Sequence, residues 1–94
     1  MYIVSYDIAS DRLRTRIAKI LEGYGKRVQY SIFECDLTGK RYAELYRTLF
    51  ELAGNLEDGS IYFYYVCRDC ENKKRVIGDS ERKSGYPDDD IIII

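Results

Sequence analysis

The sequence predicts an α+β domain in which two helices cover one face of an antiparallel sheet. Three observations predict it. Two segments with helical periodicity alternate with strand-like runs, in the order β-α-β-(β)-α-β. The run IYFYYVC (61–67) is unbroken apolar and aromatic, as a central strand would be. The chain has 94 residues, enough for one modest core. Together they give a ferredoxin-like βαββαβ arrangement over residues 1–78, followed by an extension over 79–94.

The first strand is YIVSY (2–6), which alternates and is rich in β-formers. The first helix is SDRLRTRIAKILEGYG (10–25). Ser10 suits the N-cap, Asp11 suits the positive helix end, and Gly23 or Gly25 stops it. Leu13, Ile17, Ile20, Leu21 and Tyr24 form its apolar face. Arg12, Arg16 and Lys19 form a second face, with Arg14 on the other flank. KRVQYSIFECDL (26–37) reads as one long strand. Its apolar set shifts phase between Ile32 and Phe33, the mark of a bulge, a bend or burial on both faces. The third strand has to come from this segment through a hairpin near Lys26–Arg27 or Asp36–Gly39. TGKRYAELYRTLFELAG (38–54) is the second helix, with Tyr42, Leu45, Tyr46, Leu49 and Leu52 or Ala53 as its stripe. NLEDGS is a turn, RDCENKKR a charged loop, and VIG (76–78) a short strand. DSERKSGYPDDD (79–90) is polar, and IIII closes the sequence.

Composition removes several chemistries. The chain has no histidine, so Ser-His and Cys-His nucleophile pairs and His-ligated zinc are out. Three cysteines, Cys35, Cys67 and Cys70, do not make a disulfide framework. No run reaches the ~20 apolar residues of a membrane helix, and the N-terminus lacks a basic leader, so a cytoplasmic protein with no membrane partner is expected. Charge is uneven: residues 1–50 carry +3 and residues 51–94 carry −4. Any phosphate-binding surface therefore belongs to the N-terminal half.

Asp7, at the end of the first strand, is either a turn carboxylate bonded to backbone N–H groups or a metal ligand or general base. A lone carboxylate makes a poor Mg²⁺ site, and a two-fold dimer that paired two Asp7 side chains would cure this. The arginines are either a solvated helix face or phosphate contacts suited to the guanidinium fork. CRDC (67–70) lacks the four ligands of structural zinc and follows a strand rather than opening a redox helix. DDD (88–90) reads as a solvated acidic turn. The aromatic strands lack the glycine of the RNA-recognition signature, so core or interface aromatics are the better reading.

A resemblance joins these pieces. YDI, a helix with paired arginines, YGKRVQYSIFE and the later YFYYVCRDCENKKRVIG together resemble the CRISPR-associated protein two family over about residues 1–78. The resemblance implies a homodimer with face-to-face sheets, whose C-terminal strand, here IIII, pairs with the partner protomer or a partner protein. It implies one magnesium ion (Mg²⁺) shared by two Asp7 carboxylates across the dimer axis. It places the nuclease residues at Tyr6, Asp7, Arg14, Arg16, Arg27 and Phe33. Arg14 and Arg16 would engage phosphate, and Phe33 would pack near the site. Separately from the resemblance, the helical-wheel stripe of Arg12, Arg16 and Lys19 is expected to be a DNA-facing patch, which adds Arg12 and Lys19 to Arg14, Arg16 and Arg27 as nucleic-acid contacts. The implied function is CRISPR spacer acquisition, as a metal-dependent endonuclease of RNA or DNA and a scaffold. The implied partners are the integrase (CRISPR-associated protein one) and duplex DNA or single-stranded RNA. Two alternatives stay open: a non-catalytic DNA-binding adaptor, and an mRNA-cleaving toxin of related fold.

Overall fold

The computed structural model describes residues 1–78. In chain order its elements are β1 (Tyr2–Ile8), α1 (Asp11–Glu22), β2 (Lys26–Gln29), β3 (Ile32–Cys35), α2 (Gly39–Ala53), β4 (Gly59–Tyr65) and a short α3 (Arg68–Glu71). The IIII run and its proposed strand lie outside the described residues, as does DDD.

Both long helices start at hydroxyl caps. Ser10 Oγ accepts the Leu13 N–H at 3.2 Å, and Thr38 Oγ1 accepts the Arg41 N–H at 3.2 Å. Each cap satisfies a backbone donor that the first turn leaves without a partner. The sheet order is β2-β3-β1-β4, and every neighbouring pair is antiparallel. That is the ferredoxin-like order, with β1 paired on both edges. Alternation along β1 sends Val4, Tyr6 and Ile8 toward the helices, where they pack with Ile17, Leu21, Phe33, Leu45 and Leu49. Among the described residues, neither long helix lies on the opposite face of the sheet. Tyr62 and Tyr64 are exposed there by 55% and 53%, beside half-buried Ile3 and Ile32.

The second segment differs from the sequence expectation. Residues 26–37 are not one strand: β2 and β3 are two antiparallel strands joined at Tyr30 and Ser31. The phase shift in the apolar pattern marks a chain reversal, not burial on both faces. The turn contains neither Gly, Asn, Asp nor Pro, so the usual hairpin signal is missing. The register also shifts between Arg27 and Gln29, placing a bulge at Val28. The hairpin is tied to β1 by the Tyr6 N–H, which donates to the Ser31 carbonyl at 3.1 Å.

Smaller corrections follow at the C-terminal side. The strand expected at 61–67 runs from Gly59 to Tyr65. Gly59 has φ +137°, and a Cβ there would collide with the Asp7 carbonyl oxygen, so β4 begins in close contact with the end of β1. The loop expected after it opens as α3, with Cys67 as its N-cap. VIG (76–78) forms no strand. Lys74 instead reaches across to Glu34 on β3, with Nζ 3.0 Å from Oε1. Among the described residues no helix is long and apolar enough to cross a membrane.

Phe33 is fully buried and stacks near Tyr6 with ring centroids 6.4 Å apart. Phe33→Ala is expected to cost about 3–5 kcal/mol, a large share of the roughly 5–15 kcal/mol that holds a small domain folded. Urea denaturation checks this. Phe33→Leu should recover most of the loss, which would mark Phe33 as a framework residue.

Candidate functional site

The two-residue period of β1 divides the expected site residues between the two faces of the sheet. Asp7 points to the open face, in line with Ile3 and Ser5 and across from Ser60 on β4. Its neighbour Tyr6 points the other way, under α1, and is 4% exposed. Consecutive strand residues cannot share a face. The structure therefore brings Tyr6, Arg14, Arg27 and Phe33 together on the helix side and leaves Asp7 apart from them.

Asp7 is exposed, and an exposed carboxylate is a suitable hard-oxygen donor for a divalent cation. Among the described residues no cluster of three or more His, Cys, Asp or Glu could hold a metal. One protomer thus contributes half of a metal site at most. Among the described residues, none covers the open face around Asp7.

The helix-side residues line an open cleft of about 530 Å³ between α1 and the β2–β3 hairpin. Its wall includes Tyr6, Arg14, Lys19, Arg27 and Tyr30, together with the acids Asp11 and Glu22. Arg27 pairs in register with Phe33, so its side chain crosses to the helix side. The guanidinium carbon lies 5.2 Å from the Phe33 ring centroid and 5.9 Å from that of Tyr30. Burial raises the Tyr6 phenol above its ordinary pKa, against the opposing pull of the Arg27 charge. Its hydroxyl faces the Tyr30 carbonyl at 3.5 Å.

Arg14 has a local occupation. It donates to the Ile8 carbonyl at 2.8 Å and forms an ion pair with Asp11. Hydrogen bonds to Asp11 and Tyr30 raise its pKa further, fixing it as a cation. It staples the end of β1 to the first turn of α1, and a phosphate would have to share it with Asp11. Arg12, Arg16 and Lys19 occupy the solvent pole of α1 and make no hydrogen bond or ion pair among the described residues. Lys19 alone of these also borders the cleft.

The cysteines divide into one buried thiol and two exposed ones. Burial pushes the Cys35 thiol up to about 11. Cys67 and Cys70 are exposed at the start of α3. The Cys67 Sγ accepts the Cys70 N–H at 3.4 Å, and that backbone bond lowers its pKa. Cys70, bonded to Cys67, is raised.

One cleft residue escapes sequence reasoning. The alternation groups Tyr30 with Val28 and Ile32 as an apolar position of a continuous strand, whereas it sits at the turn and is 71% exposed. Only the broken alternation around it hints at this.

Comparison with known proteins agrees with this architecture. A family model described as CRISPR associated protein Cas2 matches residues 1–74. The chain is 44% identical over 78 residues to a protein of Chloroflexus aurantiacus named CRISPR-associated endoribonuclease Cas2 1, covering 83% of this chain and 84% of the relative. A crystal structure of the hypothetical protein TT1823 from Thermus thermophilus superposes with a TM-score of 0.73 at 34% identity, covering 84% of this chain and 90% of that one. A chain of a partial Cas6-RT-Cas1–Cas2 complex superposes with a TM-score of 0.71 at 28% identity, covering 96% and 97%.

The cysteine environments predict an order of reaction. A lowered pKa means more thiolate at pH 7.5, so Cys67 is expected to be alkylated by iodoacetamide before Cys70. Cys35 should stay unmodified until the protein is denatured, because it is buried and its thiol titrates far above that pH. Peptide mapping by mass spectrometry over a time course reads the order, and early Cys35 labelling would contradict the fold.

Proposed function

The chain belongs to the Cas2 family of CRISPR-associated proteins, and on that premise we propose that it acts in spacer acquisition as a metal-dependent endonuclease of the endoribonuclease type. The observation that carries the reading is Asp7, an exposed carboxylate on the sheet face that no helix covers among the described residues. Two protomers stack these faces, burying Tyr62, Tyr64, Ile3 and Ile32, and the two Asp7 side chains approach across the two-fold axis. The two Asp7 carboxylates would hold one Mg²⁺. The ion, when bound, polarises the phosphodiester and lowers the pKa of the attacking water.

The chain's own residues do the rest. Asp7 supplies the negative charge that selects a divalent cation, and it orients the cation beside the β1–β4 register. Arg27 and Lys19 hold phosphates of the flanking strand, since they lie on the other side of the sheet from Asp7. Arg14 fixes the β1 end that carries Asp7 and Ile8. Phe33 and Tyr6 support Arg27 from beneath. The protein works in the cytoplasm with the Cas1 integrase, a pairing supported by the solved complex in which a similar chain sits with Cas1.

A second reading rests on a separate observation. Arg12, Arg16 and Lys19 form an exposed basic stripe with its donors unspent among the described residues. Such a stripe suits the backbone of duplex DNA, which would make the dimer a scaffold for the integrase.

The two roles separate by substitution. Asp7→Ala is expected to reduce Mg²⁺-dependent RNA cleavage by about a hundredfold or more, since a metal contribution of several kcal/mol is at stake. Its duplex DNA affinity and its dimer mass should be unchanged. Cleavage at the wild-type rate by rigorously purified Asp7→Ala protein would remove Asp7 from the mechanism. For the scaffold reading, Arg12→Ala with Arg16→Ala should flatten the plot of log affinity for duplex DNA against log salt by about 0.9 for each phosphate that is no longer neutralised. An unchanged slope would show that the stripe is only a solvated face.

A further inference from the structure

Among the described residues Tyr30 is the most exposed aromatic, at 71%. It is not left there for want of contacts. Its carbonyl oxygen faces the Tyr6 hydroxyl at 3.5 Å, and its ring lies beside the Arg27 guanidinium, whose carbon is 5.9 Å from the ring centroid. These contacts place the ring at the mouth of the cleft while leaving it open to solvent. Arg27 in turn is held through ring contacts with Tyr30 and Phe33 and makes no hydrogen bond or ion pair among the described residues. Its planar face is occupied and its N–H edge is unspent. Lys19 borders the same opening, likewise without a partner among the described residues.

An exposed ring next to unspent cations is the pairing that binds single-stranded nucleic acid. The ring stacks on a base, and the cations take the backbone on either side. In a duplex the base faces are already stacked on each other, so the ring gains little from it.

We propose that Tyr30, Arg27 and Lys19 form a subsite for one unpaired nucleotide, with the base stacked on Tyr30 and its phosphate on Arg27. The subsite rests on the reading that this chain binds nucleic acid, and it deepens that reading by assigning single-strand preference to one residue, Tyr30. It lies on the opposite side of the sheet from Asp7, so it positions the strand and takes no part in bond cleavage. Tyr30 is thus a determinant of single-strand preference, while the α1 stripe is indifferent to strandedness.

The test uses the full-length protein in EDTA and fluorescence anisotropy with a fluorescein-labelled oligouridylate, alongside a labelled DNA duplex. Tyr30→Ala should weaken oligouridylate binding roughly tenfold and change duplex binding less than about twofold. Tyr30→Phe keeps the ring and should bind the single strand within about twofold of wild type. Arg27→Ala should weaken single-strand binding and reduce its salt dependence. Because Tyr30 is largely exposed, its variants should melt near wild type. Tyr30→Ala binding the single strand as tightly as wild type would overturn the subsite, as would an equal loss on the duplex or no single-strand binding by the wild type. Each of those results leaves the Asp7 assignment untouched, since Mg²⁺-dependent cleavage by Asp7→Ala is measured separately.

Discussion

The pairing of β1 on both edges is the constraint from which the rest of the molecule follows. β3 fixes it at Tyr2 to Ser5, and β4 fixes it along its whole length from Tyr2 to Ile8. A strand held on both sides cannot slip by one residue without turning Val4, Tyr6 and Ile8 out of the core. Apolar burial of those side chains is worth roughly 1.5–3 kcal/mol for each large one, so the register is strongly set. Asp7 is then forced to the open face by the same period that buries Tyr6. The position of the carboxylate is a by-product of core packing, which explains how an exposed acid is held in register near the end of a central strand.

The hairpin of β2 and β3 depends on that strand in turn. Tyr6 gives its N–H to the Ser31 carbonyl, and its hydroxyl lies 3.5 Å from the Tyr30 carbonyl. A turn with no glycine or asparagine is held from outside itself, by donors on the neighbouring strand. The bulge at Val28 adds local twist, and Arg27, paired with Phe33, comes to lie over the core aromatics. Arg14 closes the opposite wall by bonding the β1 end and the helix start. The cleft is accordingly a product of three connections to β1, not of any one loop.

Most of the fold is legible in the sequence because most of it is written in local signals. Ser10 and Thr38 announce their helices as caps, and the apolar stripes of both helices match the buried sets at Ile17 and Leu21 and at Leu45 and Leu49. The β2–β3 turn is not legible, because Tyr30 and Ser31 carry no turn chemistry and are held by Tyr6, a residue 24 positions away from Tyr30. The site is half legible. Its residue types point to phosphate and cation chemistry, but a strand's two faces become distinct only when its neighbours are known. Tyr6 and Asp7 are adjacent in sequence and so look like one cluster, yet neighbours along a strand point apart. Tyr30 escapes notice for the related reason that it looks like part of a strand it terminates.

The open face links stability to chemistry. Tyr62 and Tyr64 stack on each other there with centroids 6.1 Å apart, beside Ile3 and Ile32, and nothing among the described residues covers them. Of the described residues after β4, Glu71 approaches the N-terminal ammonium at 3.7 Å and Lys74 bridges to Glu34 on β3. An apolar face of this kind is stable in water chiefly when a second surface covers it. Asp7 lies in that same face as a lone exposed carboxylate. If a second copy supplies the cover, the same act of burial supplies the second carboxylate. Two like charges brought together at low dielectric repel, so the dimer would carry an electrostatic cost that a divalent cation removes. Metal binding and dimer stability are then coupled through Asp7, and the ion belongs to the assembly more than to either chain.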